Sequence, residues 1–152
     1  MPERPVSNLS AIRRAEYDEH RSQLGHLFLT GNLKMPTPHP FFRRDDIEVI
    51  LCTYEAGDVG EPQWHEAVDE LETILDGRIG YREAPSGLAY WFEQGDFVHI
   101  PKGTCVKRTV AIASRTIAMK LPSDPSRVIC SECTRECSYR EAPYRAEVPI
   151  TL

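Results

Sequence analysis

The sequence GDVGEPQWHEAVDELETILDG, residues 57–77, decides the fold of this chain. Within it, Gln63 and His65 are separated by one residue, and Glu70 follows after four more. Residues two apart on a β-strand point to the same face, so Gln63 and His65 are predicted to enter the same interior space. Glu70 is predicted to return to that space on the next strand. Three converging polar side chains in an apolar interior are typical of a small-molecule site.

A second sequence, GDFVHIPKG at residues 95–103, is predicted to complete that site. Pro101 and Gly103 predict a tight turn. The turn brings the following strand, which contains Val106, across the same interior. Two separate parts of the chain are therefore predicted to form one site.

Both sequences resemble motifs of the cupin family. The first is similar to the motif G-x5-H-x-H-x4-E-x6-G at every spacing, with Gln63 in place of the first histidine. The second is similar to G-x5-P-x-G-x2-H, with Val106 in place of the histidine. Two motifs at the proper separation are stronger evidence than either alone. The resemblance covers residues 47–121 and implies an all-β fold, the double-stranded β-helix or jelly-roll barrel.

The pattern of apolar residues supports the same fold class. Short β-rich runs, separated by glycine, proline and acidic turns and without a long helix between them, indicate a sandwich or barrel. The predicted strands are 47–54, 71–75, 78–83, 88–92, 97–100, 106–113 and 115–121.

The length of the chain, 152 residues, suits one domain with a real core. We expect the barrel core at residues 46–122. Residues 1–45 are predicted to form a short helix, over 10–24, and an extended arm, and residues 123–152 a cysteine-rich tail that packs on the barrel. Small cupins resemble one another in pairing through edge strands and N-terminal arms, which implies a homodimer.

The resemblance also implies a divalent metal site, because a complete cupin site presents three histidines and a glutamate to iron, manganese, nickel, copper or zinc. Here the corresponding set is Gln63, His65 and Glu70. Imidazole and carboxylate are good ligands for such metals, an amide oxygen is a weak one, and valine is none. His65 and Glu70, helped by Gln63, are therefore predicted either to hold a labile metal or to act directly as a catalytic acid–base pair. The alternative is a hydrogen-bonded polar cluster without catalysis.

Gln63 and three further side chains are predicted to bind the substrate. Arg108 shares a strand face with Val106 and could bind a carboxylate or phosphate group. Tyr54 and Tyr81 are the tyrosines expected to line the pocket, although most aromatic side chains here are expected to be barrel wall.

The tail contains Cys130, Cys133 and Cys137, whose spacing allows several thiolates to reach one zinc ion. The segment lacks a fourth ligand. Three interpretations stay open: a metal site completed by a residue from elsewhere, thiolate ligands for the barrel site, or free thiols. The candidates for a completing residue are Cys52, Cys105, His20, His26 and His39.

Composition limits the function classes. The formal net charge is −5, and no basic block indicates nucleic-acid binding or a membrane anchor. No apolar run is long enough to span a bilayer, and no secretory signal is visible, so a cytoplasmic protein is expected. We expect a small-molecule partner and no organic cofactor.

Two functions fit these features. The first is a cupin enzyme acting on a small polar metabolite, an isomerase or lyase rather than a dioxygenase, because isomerisation and elimination need only proton transfer or a Lewis acid. The second is a non-catalytic ligand-binding or sensor protein, with any metal held by the tail cysteines. Fold analogy alone does not choose between them.

Overall fold

The computed structural model describes residues 26–32, 41–84 and 89–124, together with residues 11, 13, 15 and 19 and the backbone of 128–129. The predicted helix over 10–24 lies almost entirely outside the described residues. The tail cysteines Cys130, Cys133 and Cys137 also lie outside them. The predicted division of the chain into arm, core and tail stays a prediction.

The described residues form nine β-strands. They are β1 His26–Gly31, β2 Phe42–Arg43, β3 Glu48–Tyr54, β4 Gln63–Trp64, β5 Asp69–Ala84, β6 Ala89–Glu93, β7 Phe97–Ile100, β8 Cys105–Leu121 and β9 Val128–Ile129. None of the described residues belongs to a helix long and apolar enough to cross a membrane.

The two long strands β5 and β8 connect two layers of the fold. Residues 69–76 of β5 pair with residues 115–121 of β8, and β7 and β3 lie on either side of this pair. Residues 78–84 of β5 pair with residues 105–112 of β8, flanked by β6 and β4. Within the described part of the chain, the hydrogen-bonded strands do not close into a ring. The interior between the layers holds the core.

Gly77 marks the point where β5 passes from one layer to the other. Its φ of +96° favours glycine, and a Cβ there would overlap Oγ of Ser114 on β8 and lie 2.5 Å from the Ser114 Cα. The Ser114 hydroxyl accepts a hydrogen bond from the backbone N–H of Arg78 at 2.9 Å. The prediction of separate strands at 71–75 and 78–83 is therefore wrong, because Gly77 lets β5 bend across β8 and continue as one strand.

The same bend changes which residues of β5 face inward. Glu72 and Ile74 are buried before it, whereas Ile79 and Tyr81 are buried after it. The pairing with β8 shifts register between residues 74 and 79, and such a shift reverses the alternation of the strand. The strands predicted at 106–113 and 115–121 are likewise one strand, β8, so that prediction is also corrected.

The hydrophobic core lies between the two layers. Each large aliphatic side chain in it contributes about 1.5–3 kcal/mol by burial. Its buried members are Ile50, Cys52, Tyr54, Ile74, Ile79, Tyr81, Val98, Ile100, Val110 and Ala118.

Candidate functional site

A cavity of about 440 Å³ lies between the layers. This volume is in the range of small-molecule sites in proteins. Apolar core residues form part of its wall. Its polar lining consists of His26, Tyr54, Glu61, Gln63, Glu70, Tyr81, Arg108 and Lys120.

The first motif brings an imidazole and a carboxylate together beside this cavity. Nε2 of His65 lies 3.6 Å from Oε2 of Glu70, and the two side chains are only 6% and 15% exposed. Glu70 lines the main cavity, whereas His65 lines a small side pocket together with Glu70 and Gln63. His65 is predicted to enter the same interior space as Gln63, but it does not line the main cavity. The reason is that β4 ends at Trp64, so the alternation of the strand does not extend to His65.

The second motif holds His65 in place from the other side. The backbone carbonyl of His65 accepts a hydrogen bond from the N–H of Gly103 at 2.6 Å. Gln63 pairs directly with Val106 across strands β4 and β8. The predicted meeting of the two motifs is thus confirmed in the geometry of the backbone.

The donor set at this point does not fit a tightly held divalent metal. Among the four motif positions, His65 and Glu70 are the strong donors, since Gln63 is a neutral amide and Val106 has no donor atom in its side chain. In the part of the chain that the structure describes, no group of three or more histidine, cysteine, aspartate and glutamate side chains is arranged to hold a metal ion. Burial raises the pKa of the nearby Cys52 thiol to about 11, with a further rise from Glu72, so Cys52 is a neutral thiol.

Three charged side chains, Glu48, Lys120 and Glu70, form a row across strands β3, β8 and β5. Lys120 on β8 is in register with Glu48 on β3 and with Glu70 on β5. Its ammonium lies 3.5 Å from Oε2 of the fully buried Glu48. Burial raises the pKa of Glu48, and the positive charge of Lys120 opposes that rise. The row places one cation between two carboxylates, and one of these is the partner of His65.

Glu72 is an interior carboxyl that the motif resemblance does not predict. It is 1% exposed, and its Oε1 accepts a 2.7 Å hydrogen bond from the Tyr81 hydroxyl. Burial raises its pKa to about 7, although the hydrogen bond from Tyr81 acts in the opposite direction. A signal for it is present in the sequence, since Glu72 is two residues after Glu70 and therefore on the same strand face.

Arg108 and Tyr54 lie together at the cavity wall. The guanidinium carbon of Arg108 is 4.2 Å from the centre of the Tyr54 ring, a cation–π arrangement. Arg108 is also in register with Tyr81 on β5. The structure therefore brings the four predicted substrate-binding side chains, Gln63, Arg108, Tyr54 and Tyr81, to the cavity that Glu70 also lines.

His26, which the sequence suggests only as a ligand for the tail, lines the cavity. Its Nδ1 accepts a hydrogen bond from the backbone N–H of Thr53 at 3.2 Å, and its ring contacts Tyr54 edge to face. The acceptor role of Nδ1 leaves Nε2 to carry the proton of the neutral ring. No local pattern in the sequence indicates this placement, because it depends on the pairing of β1 with β3.

No protein-family model matches the sequence, and no curated protein matches it significantly. Solved structures do resemble it. KdgF from a Halomonas species is 17% identical, with a TM-score of 0.53 over 66% of this chain and 79% of that chain. The DMSP lyase DddQ from Ruegeria pomeroyi is 17% identical, with a TM-score of 0.57 over 72% of this chain and 53% of that one.

A third similar structure is an uncharacterised conserved protein with a double-stranded β-helix domain from Klebsiella pneumoniae. It is 13% identical, with a TM-score of 0.55 over 82% of this chain and 97% of that chain. Identities this low show the fold alone. They confirm the predicted all-β, double-stranded β-helix architecture.

Proposed function

We propose that this chain, whose fold is the double-stranded β-helix of the cupins, is an enzyme that catalyses proton transfer on a small polar metabolite bound in its cavity. The reaction class is isomerisation or elimination. The observation that carries the proposal is the approach of His65 Nε2 to Glu70 Oε2, at 3.6 Å, beside a cavity large enough for a metabolite.

The two groups have different access to the cavity, and this assigns their roles. Glu70 lines the main cavity, so its carboxylate is the group that takes a proton from the substrate or returns one to it. His65 lies behind it in the side pocket, where its imidazole orients the Glu70 carboxylate and exchanges a proton with it. His65 therefore acts through Glu70 as a positioning residue.

The cavity wall supplies contacts that would hold a polar substrate. Gln63 offers an amide that both donates and accepts hydrogen bonds. Tyr54 and Tyr81 offer aromatic surface. Polar groups that converge on one cavity fix the orientation of a ligand, and proton transfer requires a fixed orientation.

Acid–base chemistry fits the donor set better than metal-assisted chemistry does. A proton-transfer pair needs two groups, whereas protein sites that hold zinc or a similar metal tightly use three or four strong donors. A labile divalent metal at Gln63, His65 and Glu70, and a zinc ion at the tail cysteines, stay predictions. One similar structure is named a DMSP lyase, which supports a lyase reaction in this fold.

The alternative is a non-catalytic protein that binds or senses a small ligand. The replacement of two motif histidines by Gln63 and Val106 favours it, because a binding protein needs no ligand set for a metal. The predicted homodimer would serve either function.

Solvent exchange distinguishes the two functions and does not require the substrate to be identified first. A library of small polar metabolites is incubated with the protein in D₂O, and loss of C–H signals is followed by proton NMR. We expect the wild type to introduce deuterium into at least one compound, and the variant that combines His65→Gln with Glu70→Gln to introduce none. A compound that binds to the wild type without exchange, in a library that shows no exchange at all, would support the alternative.

A further inference from the structure

The cavity contains two cationic side chains, and they differ in their surroundings. Lys120 is paired with Glu48 at 3.5 Å. Arg108 forms no ion pair with any carboxylate of the described residues, and its Nε is buried without a hydrogen-bond acceptor among them. The negative charge of Glu72 acts on Arg108 from a distance, but the described hydrogen bond of Glu72 is with Tyr81.

The surroundings of Arg108 hold its guanidinium in one place. One face lies over the Tyr54 ring, with 4.2 Å between the guanidinium carbon and the ring centre. Gly60 lies close by, since a Cβ at that position would be 3.4 Å from Nη2 of Arg108. The N–H of Gly60 also donates a hydrogen bond to the backbone carbonyl of Arg108 at 3.0 Å. A cation fixed in this way loses little conformational entropy when it binds a ligand.

We propose that Arg108 is an anion-binding residue, and that the substrate of the proposed enzyme carries a carboxylate or phosphate group that binds to its guanidinium. The inference rests on the proposed function only where it takes the bound molecule to be a substrate; the anion site itself does not depend on it. A largely buried cation without an anionic partner is costly, and a bound anion removes that cost. The planar guanidinium matches carboxylate and phosphate through two parallel hydrogen bonds.

The position of Arg108 relates the anion to the acid–base pair. Arg108 is two residues from Val106 on the same face of β8, and Val106 pairs with Gln63. Two residues of a strand span roughly 6.8 Å. An anionic group at Arg108 would therefore leave the rest of a small metabolite directed along the cavity towards Gln63 and Glu70, both of which line it.

Direct binding of simple anions tests the proposal. Acetate and inorganic phosphate are titrated separately into the ¹⁵N-labelled full chain, and the Nε–Hε resonance of Arg108 is followed by NMR. We expect this resonance to shift and saturate with acetate, with phosphate or with both, and the anion that binds identifies the group. Absence of any shift with either anion, up to the highest concentration at which the protein stays folded, would overturn the proposal.

Variants show whether Arg108 is responsible. Arg108→Gln is expected to weaken the binding of the anion by about tenfold or more, because a hydrogen-bonded charge is lost. Arg108→Lys keeps the charge but loses the bidentate geometry, so its affinity should lie between those of the wild type and Arg108→Gln. Arg44→Gln is the matched control, since Arg44 is exposed and paired with Asp46, and it should bind as the wild type does. Equal affinity in Arg108→Gln and the wild type would contradict the assignment.

The Glu70→Gln variant separates this inference from the proposed function. Arg108-dependent anion binding that persists in Glu70→Gln, with no deuterium exchange even in the wild type, supports the anion site and contradicts the enzyme. Deuterium exchange without Arg108-dependent binding contradicts the anion site and supports the enzyme.

Discussion

Gln63 and Val106 are paired directly across strands β4 and β8, so the two positions that depart from the cupin motifs are neighbours. His65 and Glu70 lie beside them, and all four residues line one small pocket. The two missing histidine ligands would therefore lie on the same side of the site. This arrangement makes the site testable by restoring the missing donors.

The combined substitution Gln63→His and Val106→His is expected to create a tight divalent metal site. It would add two imidazoles to His65 and Glu70 and so give four strong donors. Elemental analysis of protein purified without chelator should show about one metal ion per chain more than the parent protein.

A control variant removes any metal that the tail cysteines bind: it carries Gln63→His and Val106→His together with Cys130→Ser and Cys133→Ser. The additional metal should persist there, because it belongs to the site in the barrel. A metal content equal to that of the parent protein would mean that the four positions do not converge on one point.

The substitution Glu72→Gln is expected to change how stability depends on pH. The pKa of Glu72 is raised from 4.5 to about 7 by burial. A carboxyl with a raised pKa stabilises the fold fully below about pH 4.5, and this contribution is lost as the pH rises through about 7. Glutamine keeps a hydrogen-bond acceptor for Tyr81 and does not ionise.

The stability of the wild type relative to Glu72→Gln should therefore fall by up to about 3 kcal/mol between roughly pH 5 and pH 8. Urea denaturation at the two pH values measures this difference. Glu66→Gln, which changes an exposed carboxyl, should show no such trend. A constant difference between wild type and Glu72→Gln would show that Glu72 is not held in an apolar setting.

The substitution Gly77→Ala is expected to destabilise the fold strongly, by more than about 3 kcal/mol. Gly77 has a φ of +96°, and its added Cβ would overlap Oγ of Ser114 and lie 2.5 Å from the Ser114 Cα. The matched control is Gly95→Ala, at a similar φ of +89° but with nothing within 4 Å of the added Cβ. The control should lose only about 1–2 kcal/mol, from backbone strain alone.

Thermal or urea unfolding compares the two glycine variants. Equal losses in both would show that β5 and β8 do not approach each other closely at Ser114. In that case Gly77 would not be the point at which β5 joins the two layers.

Local patterns in the sequence predict much of this fold, because side chains along a β-strand alternate between two faces with a period of two residues. Strand β7 lies at Phe97–Ile100, as predicted, and the turn at Pro101 and Gly103 brings Val106 opposite Gln63. The features that local patterns do not predict depend on distant parts of the chain. The continuity of β5 through Gly77 requires the approach of Ser114, which lies 37 residues later in the sequence.

The candidate site shows the same division. The spacing of Gln63, His65 and Glu70 predicts their convergence, because a motif of fixed intervals encodes two strands that are consecutive in the sequence and the turn between them. The side pocket of His65 was not predictable, because it depends on where β4 ends. Arg108 Nε has no hydrogen-bond acceptor among the described residues, and this is also a tertiary property, since it depends on which side chains the neighbouring strands bring near.

The central claim, that Glu70 moves protons on a bound metabolite, is tested most directly by the rate of solvent deuterium exchange in Glu70→Gln. The compound is the one that the wild type exchanges, and Glu66→Gln is the matched control because it removes an exposed carboxylate from the same segment. We predict a loss of about 100-fold or more in Glu70→Gln, with the affinity for the compound nearly unchanged and the control equal to the wild type. An exchange rate in Glu70→Gln within a few-fold of the wild type would contradict the claim.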